Sequence, residues 1–217
     1  MERYFSIEMP GVLFLRNVLL FSLAALAPVL VLYVLLAPGF APALAAGGPA
    51  LGRFLRQVVT NGLPVVFAVN YVSFILYALT QRPAGGHRDP AVFLLLDLVV
   101  RVFLFLGLHA LIYVFSADWF GSFGSSRATA LSVVAPTLAR SAFFENISGV
   151  YLYATMVSAL PLYVSAIKQS ASLRPLVGLF PQKSGVAGLA LLTLLLAVVS
   201  LTLIAELIAH LQGYVAG

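Results

Sequence analysis

The sequence predicts an all-α fold: a polytopic integral membrane helix bundle of about five transmembrane helices, with short interfacial or re-entrant helices between them. Three observations lead there. First, the 217-residue chain is 62% hydrophobic and 9% charged with a mean hydropathy of +1.06, whereas soluble domains have roughly 45–50% apolar and about 25% charged residues. Second, the apolar residues fall in runs long enough, at about 1.5 Å per helical residue, to cross a hydrocarbon layer roughly 30 Å thick. Third, the runs are separated by short Gly-, Pro- and Arg-bearing segments, none able to build a soluble core, so residues 1–217 read as a single transmembrane domain.

Residues 1–10, with Tyr4 and Phe5 suited to the headgroup layer, read as an amphiphilic lead-in, and Pro10 opens the first span, 12–36. Arg16 can snorkel to the near side, and Pro28 should kink the helix beyond its middle. The Ala43-Leu44-Ala45 triplet resembles a signal-peptidase site. Cleavage is not expected, because the apolar run is too long for a signal peptide and Glu2 and Glu8 spoil a basic n-region. Arg53 and Arg56, three apart, mark a short surface helix at 50–59. Span two, 63–79, is expected to start from a Thr60 or Asn61 cap with Pro64 in its first turn, and Asn70 is its one strongly polar interior residue.

The turn at 81–90 leads into span three, 91–116, where Asp97, Arg101 and His109 interrupt a run otherwise apolar from Phe93 to Tyr113. Trp119, Phe120 and Phe123 form an aromatic girdle beyond it. Residues 128–144 contain Pro136 and Arg140 and favour a surface or re-entrant helix over a full crossing. Span four, 147–167, has Pro161 and the small pair Ala154 and Ser158, which permits close helix contact. Span five, 186–211, carries Glu206 and His210. The five-span plan, with Phe120-Gly-Ser-Phe-Gly-Ser-Ser126 following a span, resembles small bacterial Yip-domain proteins, and no residue role comes with that resemblance.

Charge and aromatic placement set an expected orientation. Arg3, Arg82, Arg88, Lys168, Arg174 and Lys183 lie on one side, and Arg53, Arg56, Arg127 and Arg140 on the other. The positive-inside rule then puts the N-terminus in the cytoplasm and the C-terminus outside, which in a bacterium means the inner membrane. Tyr77 and Tyr163 would mark the cytoplasmic interface, and Tyr33, Trp119 and Tyr214 the outer one. The net charge of +5 is scattered through loops, so it points to anionic lipid headgroups and not to nucleic acid. A short echo also runs through the chain: Pro49-Ala-Leu-Gly-Arg53 with Gly62, and Pro136-Thr-Leu-Ala-Arg140 with Gly149. It suggests two similar hairpins, spans one and two and spans three and four, plus a fifth helix.

Functional candidates are the few polar residues inside spans. Asp97 and Arg101 are i, i+4 and meet on one helix face, where each alone would cost roughly 2.5–3.5 kcal/mol at mid-bilayer. They can form an ion pair that also bonds Asn70, Arg101 can snorkel, or the pair can serve a proton, ion or anion pathway. His109, Glu206 and His210 match in depth and could form a hydrogen-bonded staple between spans three and five, a proton relay, a metal set, or, through His109 and His210, an axial haem site. With no cysteine, thiolate metal sites and thiol nucleophiles are excluded. No phosphate loop, nucleophile elbow or HExxH motif is found, so no catalytic residue is assigned. The expectation is a non-enzymatic accessory subunit whose partners are the bilayer and other membrane subunits or a second copy. A small transporter using Asp97, Arg101 and Glu206 is the alternative.

Overall fold

A computed structural model describes residues 4–80, 90–115 and 136–169, together with single helical positions at 195, 199, 202, 203 and 210. The described residues are helical and contain no strand. In chain order the helices are α1 (Gly11–Leu36), α2 (Phe40–Ala45), α3 (Gly48–Gln57), α4 (Leu63–Thr80), α5 (Pro90–Phe115) and α6 (Ser148–Gln169), with a π-helical turn at Val58–Gly62 joining α3 to α4. Among the described residues four helices are long and apolar enough to span a membrane: Gly11–Leu36, Gly48–Thr80, Val92–Ile112 and Ser148–Ile167. The fifth expected span falls outside the described residues except at those single positions. The 81–89 turn, the Trp119 girdle, residues 128–135 and the 170–183 basic loop also fall outside them.

α1 and α5 each bury one stripe. On α1 this is Phe14, Val18, Ser22, Ala25, Val29 and Tyr33, and on α5 it is Phe93, Asp97, Arg101, Phe105 and His109, repeating every fourth residue. The opposite faces remain apolar and open, with Val12 81% and Phe103 71% exposed. Such faces suit lipid. The most enclosed span is α6, 67% buried against 28% for α5.

The helices pack as two interlocked hairpins. α1 lies mainly on α6, α5 lies mainly on α4, and α4 also touches α6. Between α4 and α6 the Asn70–Ser158 and Tyr77–Ser165 pairs are both 88 residues apart. A constant offset means that these two helices run parallel and in register. The echoed segments occupy equivalent places. Arg53 and Arg140 each lie in a helical stretch just before α4 or α6, and Gly62 and Gly149 each sit at a close approach. A Cβ on Gly62 would collide with the Tyr151 ring, and one on Gly149 with the Ser141 carbonyl.

Three expectations change. No cap separates the surface helix from span two, since Gly48–Thr80 is one continuous helix. Pro64 lacks an N–H and crowds the carbonyl one turn back, and the π-turn absorbs that defect, with the Leu63 N–H donating to the Val58 carbonyl. Thr60 lies inside the turn and donates to the Arg56 carbonyl at 2.7 Å. Phe5 does not face outward: it is 0% exposed and stacks on Phe74 with ring centroids 3.8 Å apart. The Asn17 side-chain amide holds this lead-in by donating to the Tyr4 carbonyl at 2.9 Å. Tyr33 and Tyr77 are buried within the bundle and do not face outward. Residues 136–141 are helical, and the chain then turns through Phe144 at φ 55 into α6.

Gly62→Ala is expected to lower stability by about 1–3 kcal/mol through overpacking against Tyr151. Gly52→Ala, on an open face of α3, should be neutral or mildly stabilising. Thermal unfolding of both variants in detergent checks the contrast.

Candidate functional site: a buried arginine network

Arg101 lies at the middle of α5 with its side chain 1% exposed, and Asp97, one turn earlier, is 0% exposed. Their i, i+4 spacing brings Arg101 Nε to 2.7 Å from Asp97 Oδ2. The rest of the guanidinium reaches two other helices. Nη1 donates to Asn70 Oδ1 on α4 at 2.6 Å and to the Thr155 carbonyl on α6 at 2.7 Å, with Ser158 Oγ at 3.3 Å. Nη2 donates to Ser73 Oγ at 2.8 Å. The fork geometry of the guanidinium, with donors aimed in several directions, makes such three-helix bonding possible where a lysine could not.

The acceptors are themselves positioned. Asn70 Nδ2 donates to Ser22 Oγ on α1 at 2.8 Å, and Ser22 donates to the Val18 carbonyl at 2.7 Å. Ser158 Oγ donates to Asn70 Oδ1 at 2.6 Å. Tyr163 donates its hydroxyl proton to Asp97 Oδ2 at 2.9 Å. One connected network therefore joins α1, α4, α5 and α6. Asp97 Oδ1 is buried and has no hydrogen-bond partner among the described residues.

Snorkelling of Arg101 toward lipid is overturned, because its side chain points inward to Asn70, Ser73 and α6. Sequence reasoning found Asp97, Arg101 and Asn70 but missed Ser22, Ser73, Thr155 and Tyr163. A usable signal existed: Asn70, Ser73 and Tyr77 at i, i+3, i+7, and Thr155 and Ser158 at i, i+3, place polar groups on one face of α4 and of α6. Ser158, expected only as a small packing residue, is also a bonding member. Tyr163, expected at the interface, is an internal donor.

His109 lies two turns beyond Arg101 and is 3% exposed. Its ring packs on Phe105, with centroids 4.1 Å apart, and toward Tyr151 of α6 at 6.0 Å. Nδ1 is 3.1 Å from the Phe105 carbonyl, a bond that needs the proton on Nδ1. Glu206, its expected neighbour, is outside the described residues, so the span-three to span-five staple lies there too. His210 was expected to be interior and is instead exposed. Leu195, Val199 and Leu203, like His210, are helical positions that are exposed. Among the described residues no three His, Cys, Asp or Glu side chains gather as a metal set.

Arg101→Met is expected to destabilise the fold by about 3–5 kcal/mol, because it strands the Asp97 charge. The double variant Asp97→Leu/Arg101→Met should lose less than the single one. Tyr163→Phe should cost only about 0.5–1.5 kcal/mol. Unfolding by sodium dodecyl sulfate, followed by loss of helicity, measures all three; an additive double variant would contradict the charge-stranding argument. No family model, curated protein or solved structure matches this chain.

Proposed function

We propose that the protein is a non-catalytic integral membrane subunit with five spans, resident in a bacterial cytoplasmic membrane with its N-terminus inside. It packs against other membrane proteins or a second copy. The observation that carries this reading is how Arg101 is used. Its bonds to Asp97, Asn70, Ser73, Thr155 and Ser158 all run to other parts of the same bundle, so the strongest cation in the membrane interior serves cohesion. Meanwhile the outer faces of α1 and α5, with Leu20, Val31, Leu95, Phe103 and Leu111 exposed, offer broad apolar surfaces at span depth. Photo-crosslinking residues placed at Phe103 and Leu111 in the intact membrane should give a discrete protein adduct, and one at buried Val157 should give none. A protein that yields only lipid adducts, purifies as a lone monomer and conducts solute overturns the proposal.

One observation favours a second reading, a small transporter. A buried carboxylate oxygen with no partner among the described residues, Asp97 Oδ1, is what a proton or cation pathway would use. If transport is the activity, Asp97→Asn abolishes flux in proteoliposomes while helicity is retained. Unchanged flux removes this alternative.

A further inference from the structure

We infer that the N-terminal strap, residues 4–10, is a gate that closes the end of the bundle from which water and protons reach the Asp97 carboxylate. Asp97 is the group that needs access. It is 0% exposed, and its Oδ1 has no hydrogen-bond partner among the described residues, while Oδ2 accepts from both Arg101 and Tyr163. A bare carboxylate oxygen in an apolar interior is costly until water or a proton satisfies it. Depth decides the side from which these arrive. Pro90, where α5 begins, lies about two turns from Asp97, on the order of 10 Å, whereas Phe115, where it ends, is about 27 Å away. The nearer end also holds the start of α1 and the ends of α4 and α6, since Phe14, Phe74, Phe93 and Ala166 share one buried cluster there.

The Arg101 network lies between two apolar layers that differ in how they are held. On the far side Val29, Val66, Val69, Phe105 and Ala154 belong to one buried cluster, and all five sit inside spans. That layer opens only if the helices part. In the near-side cluster, of the described buried residues only Phe5 lies outside a helix. Its ring stacks on Phe74 at 3.8 Å and meets Phe14 and Phe21 edge-on at 5.9 and 5.1 Å. Beneath it Tyr77 meets Phe93, one turn before Asp97, at 5.6 Å. The strap itself is a turn, with the Met9 N–H donating to the Ser6 carbonyl at 3.1 Å. Its clasp is the Asn17 amide, which donates to the Tyr4 carbonyl at 2.9 Å and reaches Met9 Sδ at 3.5 Å. A short turn held by one amide and one ring can lift while the four spans stay packed, because segments with few buried contacts open first. The gate concerns access and not flux, so it goes beyond both readings of function and applies to a subunit and a transporter alike.

The chain has no cysteine, so a single introduced thiol reports on one position. Ser73→Cys places it beside Arg101, and Ala154→Cys places it in the far-side layer. The full chain in lipid nanodiscs is treated with N-ethylmaleimide, which reacts with the thiolate and so reads water at each thiol. Both positions should react slowly in the parent background. Phe5→Ala should speed labelling at Ser73→Cys about tenfold and Asn17→Ala about fivefold, with Ala154→Cys unchanged in both and Phe5→Leu close to the parent. Circular dichroism in the same nanodiscs identifies folded variants, and Asn17→Ala carries the comparison if Phe5→Ala loses helicity. The gate is overturned if labelling at Ser73→Cys stays at the parent rate in the folded variants. It is also overturned if both positions speed up together, which would mark general loosening of the bundle.

Discussion

A guanidinium inside an apolar bundle has few tolerable arrangements, and the geometry of the four helices follows from the one found for Arg101. Its donors reach Asp97 on its own helix, Asn70 and Ser73 on α4, and Thr155 and Ser158 on α6. Asn70 passes the connection on to Ser22 of α1. Individual interhelical hydrogen bonds within a membrane average about 0.6 kcal/mol, so their sum is modest. The larger quantity is the penalty for breaking the set, since a register slip of any one helix leaves a charge or a carbonyl stranded in hydrocarbon. The network thus selects one packing more than it deepens the well.

That selection works only if the helices come close, and small residues and a helix irregularity make room. Gly62 lets the Tyr151 ring lie against the backbone at the start of α4, and Gly149 lets α6 start against the Ser141 carbonyl. Ala154 and Ser158, both buried, keep α6 narrow where Arg101 reaches it. The π-turn at Val58–Gly62 adds a second adjustment. It takes up the missing donor of Pro64 without ending the helix, so α3 and α4 remain one rod. Residues remote from the arginine therefore set the distances at which its bonds form.

Much of this was legible in the chain and some was not, for identifiable reasons. Helices and their inward polar residues could be read because hydropathy and the i, i+4 rule act locally: Asp97 and Arg101 needed only each other. The direction of Arg101 could not be read, because snorkelling and inward bonding share one sequence pattern and differ only in what faces the helix. Tyrosines were misplaced for a similar reason. A phenol near the end of a span suits a lipid interface, and it equally suits a buried acceptor, which Tyr163 finds in Asp97. Phe5 was misread because a headgroup-layer preference competes with a tertiary slot beside Phe74 that no local pattern announces. The cap expected at Thr60 and Asn61 failed because proline marks a helix start only when the preceding turn cannot bulge around it.

The order of residues in the network bears on how the protein is built. Ser22, Asn70 and Ser73 all precede Arg101 in the chain, whereas Thr155, Ser158 and Tyr163 follow it. Chains emerge from the ribosome N-terminus first, so when α5 reaches the membrane its ionic pair with Asp97 and its acceptors on α4 are already present, and those on α6 are not. The first hairpin can act as a receptor for an otherwise awkward helix, and α6 then closes the remaining side of the network. Biosynthesis and final packing are in this sense the same sequence of events, with the charged helix never required to wait alone in lipid.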